Sequence, residues 1–231
     1  MDGNGRWAQR RGLERKDGHK EGARRVRAIA EACIDRGIEV LTVYAFSTEN
    51  WDRPAGEVEY LLDLIPEQLK AERSTIFEHR VRIRVLGDLT ALPLAERVAI
   101  QNIVRQTRNH DTLDLNIAFN YGGRAEIVHA LRKLIQDGVQ ADDLSEELVS
   151  SALYTAGQPD PDLLIRTGGN CRSSNFLVWQ SIYSEFYFTP TLWPDFTRDE
   201  FKEAIEDFGR RERTFGRVSG MTSTASSASE P

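Results

Sequence analysis

Only two cysteines occur in this 231-residue chain, Cys33 and Cys171, far apart and outside any Cys-x-x-Cys spacing. That excludes a disulfide framework or a structural zinc site and leaves reduced, structural thiols. No stretch approaches the roughly 18 uninterrupted apolar residues a membrane span needs, and the first residues are polar and basic, unlike the apolar core of a signal peptide. A cytoplasmic protein is therefore expected. A Walker A lysine motif, a HExxH pair and a GxSxG elbow are all missing, which removes the commonest phosphotransferase, zinc-protease and hydrolase readings. There is no internal repeat.

What is present suffices for one core: 40% of residues are hydrophobic and 29% charged, in the size range of a single domain. The net charge of -6 hides an asymmetry, because residues 1–30 carry nine Lys/Arg against four acids, so that this segment is +5 and the rest -11. A local attraction for an anion follows more naturally than general nucleic-acid binding, and no nucleic-acid partner is expected. A solvated basic helix face would give the same count, and charge alone does not separate the two.

Apolar residues recur at helical spacing after Gly18-His19, predicting a helix over about 18–36 that Gly37 closes. Residues 38–46 are β-branched and apolar on both faces, as in a strand buried in a parallel sheet. A helix over 56–79 is expected to kink at Pro66. The alternation goes on with a strand at 81–86, a helix at 93–108, a strand at 113–119, and helices at 124–136 and 145–154. Strand-like runs follow at 163–165, 176–179 and 186–188, before a last helix at 197–214. This order predicts an α/β domain with a mainly parallel central sheet flanked by helices, whose ligands bind at the carboxyl ends of the strands. Residues from 218 to 231 are Ser/Thr/Ala-rich and are expected to form a disordered tail.

Four polar, glycine-rich segments fall where strands end. In the first, Met1 to Ala8 followed by Arg15 and His19, Gly3 and Gly5 allow close backbone approach to a phosphate, and Arg6, Arg15 and His19 supply donors beside a helix start. Asp2 is the odd charge there. It would repel a diphosphate unless a divalent cation lay between them, which makes it a candidate magnesium ligand. Residues Gly3 to Ala8 also fit the dinucleotide fingerprint G-x-G-x-x-G/A, but no strand precedes them and the acid about 20 residues on, Glu21, falls inside a helix, so a nicotinamide enzyme is disfavoured.

The second segment, Phe46 to Trp51 with Arg53, gathers hydroxyl, carboxylate, amide, indole and guanidinium groups at a strand's end. A capping box explains the Ser/Thr/Asn part but not the tryptophan, and a binding site is the favoured reading. The third, Asn116 to Arg124, also reads as a simple turn between strand and helix. The fourth, Asp160 to Phe176, offers Arg166 and Arg172 on a glycine-rich loop, a second diphosphate site. Glu185 is an acid among aromatics, which needs a metal or an arginine nearby.

Taken in order, MDGNGRWA, RxxxGH at 15–19, FSTENWxRP, RIRVLGDL, NIAFNYGGRAEI, DPDLLIRTGG, RSSNF and YSEFYF resemble the motifs of cis-prenyltransferases, and of bacterial undecaprenyl diphosphate synthases in particular, over residues 1 to about 217. The resemblance implies a Mg2+-dependent enzyme that adds isopentenyl diphosphate to an allylic diphosphate such as farnesyl diphosphate, giving a long-chain, undecaprenyl-like diphosphate for a cell-wall lipid carrier. On that resemblance Asp2 binds magnesium with help from Glu185. Gly3, Asn4, Gly5, Arg6, Arg15 and His19 grip the allylic diphosphate, and Trp7, Phe46 and Trp51 flank the hydrocarbon. Arg166, Arg172, Ser173 and Ser174 hold isopentenyl diphosphate, while Ser47, Thr48, Glu49 and Arg53 complete the pocket. Asn50 is the family's proton acceptor; an amide is a poor base, so it is expected to position the proton's path instead.

The resemblance also implies a homodimer, a hydrophobic tunnel between sheet and helices that limits product length, and a transient membrane contact for product release. The DDxxD motif of trans-prenyltransferases is absent. Two departures stand out. Relatives carry an apolar strand ahead of the Asp-Gly-Asn-Gly motif, whereas here Met1 directly precedes Asp2, so that strand is expected to be missing: either the start as given is too late, or the aspartate lies on a frayed terminus and activity suffers. Asn170 stands where many relatives have an acid. The competing readings are a catalytically silent subunit that binds prenyl diphosphates and a nucleotide-dependent oxidoreductase.

Overall fold

β-branched and apolar runs become strands, and amphipathic runs between them become helices. In the computed structural model, which describes residues 1–213, strands β1 (Val40–Ser47), β2 (Val81–Leu86) and β3 (Leu113–Tyr121) form one parallel sheet in the order β1-β3-β2. Strands β4 (Leu163–Arg166) and β5 (Glu185–Phe188) form a separate parallel pair. Helices α1 (Asn4–Gln9), α2 (Arg15–Ile34), α3 (Ala55–Ala71), α4 (Arg73–Glu78), α5 (Leu94–Thr107), α6 (Gly123–Gln136), α7 (Glu146–Ala152) and α8 (Arg198–Gly209) flank the strands. The expected single α/β domain with a parallel sheet is therefore present. The tail expected from residue 218, and residues 214–217 before it, lie outside the described residues.

β3 is central and buried on both faces because Leu113, Leu115, Ile117 and Phe119 alternate with Asn116 and Ala118, all nearly inaccessible. The larger apolar core joins α2, α3 and α5 to this sheet through Ile29, Val58, Leu61, Leu64, Ile100 and Ile103. A smaller cluster, Ala130, Leu134, Val149 and Ala152, joins α6 to α7.

Three expectations are corrected. α3 runs unbroken through Pro66, and the expected helix over 56–79 divides instead at Glu72, between α3 and α4. The helix expected over about 18–36 begins earlier, at Arg15, and ends at Ile34, while Gly3, at φ 111°, opens a further short helix, α1. Residues 176–179 are not a strand. Ser174, Asn175 and Leu177 take φ of 51°, 62° and 46°, left-handed geometry that a ladder cannot use.

The division into two sheets shapes the site. Among the described residues, β1 has a partner only on its β3 side, and β4 only on its β5 side. A cavity of about 1180 Å3 touches every residue from Val40 to Tyr44 and from Leu163 to Thr167. Side chains alternate between the faces of a strand, so contact with consecutive residues means that the cavity runs along both free edges. Ile29 and Cys33 of α2 and Phe201, Ile205 and Phe208 of α8 complete its apolar wall.

Candidate active site

The carboxyl ends of β1 and β4 open into the upper part of the same cavity. Ten residues singled out from sequence line it: Asp2, Arg6, Ser47, Glu49, Asn50, Arg53, Arg166, Arg172, Ser173 and Ser174. Asn4 and His19 line a second, apolar cavity of about 160 Å3 between α2, α3 and the sheet, whose walls share Met1, Val43 and Trp193 with the first.

Asp2 is pinned rather than frayed. Its backbone N–H donates to Thr167 Oγ1 at 3.0 Å, and its carbonyl accepts from the Trp193 N–H at 3.0 Å. Its carboxylate accepts from Arg6 Nη2 at 3.2 Å, Arg166 Nη2 at 3.1 Å and Asn170 Nδ2 at 2.9 Å. Burial opposes ionisation, but the hydrogen bonds from Asn170 and Arg166 and the charges of Arg6 and Arg166 prevail and hold this carboxyl below its ordinary value. Arg166 also donates through Nη1 to Ser174 Oγ at 2.7 Å and to the Arg172 carbonyl, and so organises the loop that carries the second cationic group. Arg6 Nη1 reaches the Gly168 carbonyl at 2.8 Å. A Cβ on Gly168, at φ +85°, would lie 2.6 Å from Arg6 Nη2, so only glycine admits this approach.

Arg15, His19 and Arg53 converge on a residue that sequence reading missed, Glu57. Its carboxylate accepts from Arg15 Nε at 2.9 Å, Arg15 Nη2 at 3.0 Å and Arg53 Nη1 at 3.0 Å, with His19 Nε2 at 3.2 Å. The last contact requires the Nε2–H tautomer of the imidazole. The arginine side of Glu57 was legible as an i,i+4 pair with Arg53; the approach of α2 was not. The hydrogen bond from Arg15, against a counteracting burial and with help from His19 and Arg53, lowers the Glu57 carboxyl from its ordinary 4.5 to about 2. Burial pushes the His19 imidazole down despite Glu57, which favours the neutral ring near pH 7.

A group with a depressed folded pKa stabilises the fold fully above its unfolded value and loses that contribution as pH falls through its folded value. The window for Glu57 runs from about 4.5 down to about 2. Glu57→Gln is therefore expected to cost at most about 3 kcal/mol at neutral pH, less for solvent screening of the exposed arginines. The gap from wild type in thermal midpoint should close as pH falls from 4.5 to 2. A gap that stays constant through that window would refute the coupling.

The segment after β1 forms the cap its sequence suggested and also lines the cavity through Ser47, Glu49, Asn50 and Arg53. Ser47 and Asn50 form a capping box around the turn Thr48–Asp52, with the Ser47 N–H donating to Asn50 Oδ1 at 3.2 Å. The amide oxygen is thereby engaged, and Asn50 Nδ2 remains available to donate into the cavity that Asn50 lines. Trp51 packs edge-on to Phe46 at 5.3 Å and donates Nε1 to Asn120 Oδ1 at 2.8 Å. Glu49 accepts from Asn175 Nδ2 at 2.8 Å.

Eight predicted site residues, Gly3, Gly5, Trp7, Arg15, Phe46, Thr48, Trp51 and Glu185, lie apart from the cavity linings. Trp7 donates Nε1 to Asp195 at 2.6 Å and lies under the Arg11 guanidinium at 4.3 Å. Glu185 begins β5, opposite Leu163, at the end of the β4–β5 pair away from Arg166. Its carboxylate takes Arg211 Nη1 at 2.9 Å, the arginine alternative raised by its aromatic setting. One chain thus does not set Glu185 beside Asp2. Thr48 packs against Gly122, where an added Cβ would lie 2.6 Å from Thr48 Oγ1.

Among the described residues no group of three His, Cys, Asp or Glu is arranged to hold a metal. One carboxylate beside a cationic cleft still suits Mg2+, which is commonly held by one or two carboxylates together with substrate phosphates. Nor is any helix among those residues long and apolar enough to cross a membrane.

Residues 1–216 match the family model described as putative undecaprenyl diphosphate synthase. The isoprenyl transferase of Heliobacterium mobile is 51% identical over 222 residues, covering 94% of this chain and 85% of the relative. That of Fusobacterium nucleatum is 48% identical over 96% of this chain and 95% of its own length. Among solved structures, lavandulyl diphosphate synthase from Lavandula x intermedia, in complex with dimethylallyl diphosphate, superposes with a TM-score of 0.89 at 32% identity, covering 94% of this chain and 95% of that one. A probable undecaprenyl diphosphate synthase from Campylobacter jejuni gives 0.77 at 37% identity, covering 85% and 92%. With a cationic cavity at the strand ends, an aspartate held among arginines and this likeness along nearly the whole length, the chain belongs to the undecaprenyl diphosphate synthase family of prenyltransferases.

Proposed function

We propose that this isoprenyl transferase condenses isopentenyl diphosphate onto an allylic diphosphate such as farnesyl diphosphate, with cis geometry, to give a long-chain polyprenyl diphosphate. One observation carries the reading: Arg6, Arg53, Arg166, Arg172 and Asp2 face a single cavity that shares walls with an apolar one. Arginine forks suit diphosphate oxygens, and an apolar neighbour suits a hydrocarbon. The lavender relative was crystallised with an allylic diphosphate, dimethylallyl diphosphate, which supports that substrate class here.

Arg6, Arg15, His19 and Arg53 would hold the allylic diphosphate, with Gly3, Asn4 and Gly5 giving it access to the backbone. Arg166, Arg172, Ser173 and Ser174 would hold isopentenyl diphosphate. Asn50 Nδ2 orients the second substrate's diphosphate, so that a diphosphate oxygen or water takes the C2 proton. Trp51 and Phe46 border the hydrocarbon. Mg2+ bound by Asp2 and diphosphate oxygens would neutralise charge on the departing diphosphate. The arginines are already oriented by Asp2 and Glu57, so little reorganisation is needed when that charge develops.

The apolar cavity lined by Val26, Ala30, Leu61, Leu64 and Leu115 is where a growing chain would lodge, as the start of a product-sizing tunnel. The exposed Val178, Ile182 and Phe188 around β5 supply apolar surface for a homodimer. We place the enzyme in the cytoplasm, with transient membrane contact for product release. Incubation with farnesyl diphosphate and labelled isopentenyl diphosphate should give polyprenyl diphosphates with Mg2+ and none with a chelator. Absence of product in both would leave only a protein that binds prenyl diphosphates.

A further inference from the structure

Asn175 lies outside the substrate-holding set assembled from sequence, yet it joins three loops. Its carbonyl accepts from the Gly123 N–H at 2.7 Å and its Oδ1 from the Arg124 N–H at 3.0 Å, at the start of α6. Its Nδ2 donates to Glu49 Oε1 at 2.8 Å, on the segment after β1. Immediately before it, Ser174 accepts from Arg166. Ser174 and Asn175 both adopt left-handed geometry, φ 51° and 62°, a conformation that persists for non-glycine residues only where the surroundings impose it. Space is tight as well. A Cβ on Gly122 would come within 2.8 Å of Asn175 Nδ2.

We infer that Asn175 is a positioning residue that fixes the spacing between two substrate-holding arms, the segment 47–53 and the segment 166–174. The inference rests on the prenyl-transfer reading. Arg53 of the first arm addresses the allylic diphosphate while the second arm, with Asn50, addresses the other, and carbon–carbon bond formation needs the two reacting carbons within about 3–3.5 Å of each other. The arms belong to different sheets and are joined here through one amide. Asn175 lines the same cavity, and the role inferred here is exerted through Glu49, Ser174 and the first amides of α6.

Asn175→Asp keeps an acceptor for the Arg124 N–H but sets two carboxylates against each other. Its kcat is expected to fall about 10²-fold with smaller changes in both KM values. Adding Glu49→Gln restores one hydrogen bond with donor and acceptor exchanged, so the double variant should turn over at least about tenfold faster than Asn175→Asp alone. A double variant no faster than Asn175→Asp would overturn the inference, because a merely structural role gives no reason for rescue by exchange. A second measurement needs no turnover. In Asn175→Ala, which keeps the carbonyl that Gly123 uses but removes the Oδ1 acceptor, hydrogen exchange at the Arg124 amide should accelerate by at least about tenfold; an unchanged rate overturns the tie. If wild-type protein makes no product while exchange accelerates as expected, the tie stands and the prenyl-transfer reading fails.

Discussion

Asp2→Ala should lower turnover by about 10³-fold, on the scale of losing a principal electrostatic stabiliser of developing charge, while affinity for an allylic diphosphate holds or rises. The two effects diverge because Asp2 has two relations to its surroundings. It is the carboxylate suited to Mg2+, and it is also the anion that balances Arg6 and Arg166. Alanine removes the first and leaves those guanidinium groups, with Asn170, free to take a phosphate oxygen. Steady-state rates with Mg2+ and calorimetric titration of farnesyl diphosphate without it separate the effects. Loss of less than tenfold in rate would refute the assigned role, and loss of binding along with rate would mean that Asp2 shapes the arginine cradle.

The second large effect concerns stability. The free edges of β1 and β4 bound one cavity whose length they follow. We propose that this gap holds one extended apolar strand, the element that the family resemblance implies ahead of Asp2. Six residues burying roughly 600 Å2 at about 25 cal/mol/Å2, less about 1.5 kcal/mol per ordered residue, leave on the order of 5 kcal/mol. A protein carrying such a segment fused before Met1 should melt roughly 10 °C higher than the chain that starts at Met1. A scrambled segment with charged residues at every second position serves as control. Equal melting temperatures for the two fusions would remove the strand from the gap.

Most of the architecture was legible because its signals are local. Residues 38–46 read as a strand buried on both faces; a strand is there, but at the sheet's edge with only Val43 and Phe46 buried, and the carboxyl ends of strands are where such sheets bind ligands. Asp2 was legible by contrast, as an acid among cations. The failures were tertiary. Phe176 to Trp179 has the composition of a strand, but Phe176 stacks on Tyr44 at 4.5 Å from a backbone already turned into left-handed geometry. Pro66 sits inside α3 without ending it, because the packing of Leu61, Leu64 and Leu69 into the core outweighs one missing donor. Glu57 and Asn175 looked like ordinary polar residues. Their importance comes from which helix or loop lies opposite, and that is set by the fold as a whole. Glu185 was expected near a metal or an arginine, and Arg211 occupies that place from the far end of the chain.

α2 separates the two cavities. Ile29 and Cys33 face the larger one, while Val26, Ala30 and Ile34 face the smaller. A packed helix shifts as a rigid rod, so this partition cannot retreat to enlarge one chamber without encroaching on the other. Volume for hydrocarbon and volume beneath the charged groups are thus exchanged in part across α2, whose first two turns also bear Arg15 and His19. Bulk added on one side of α2 will be felt on both.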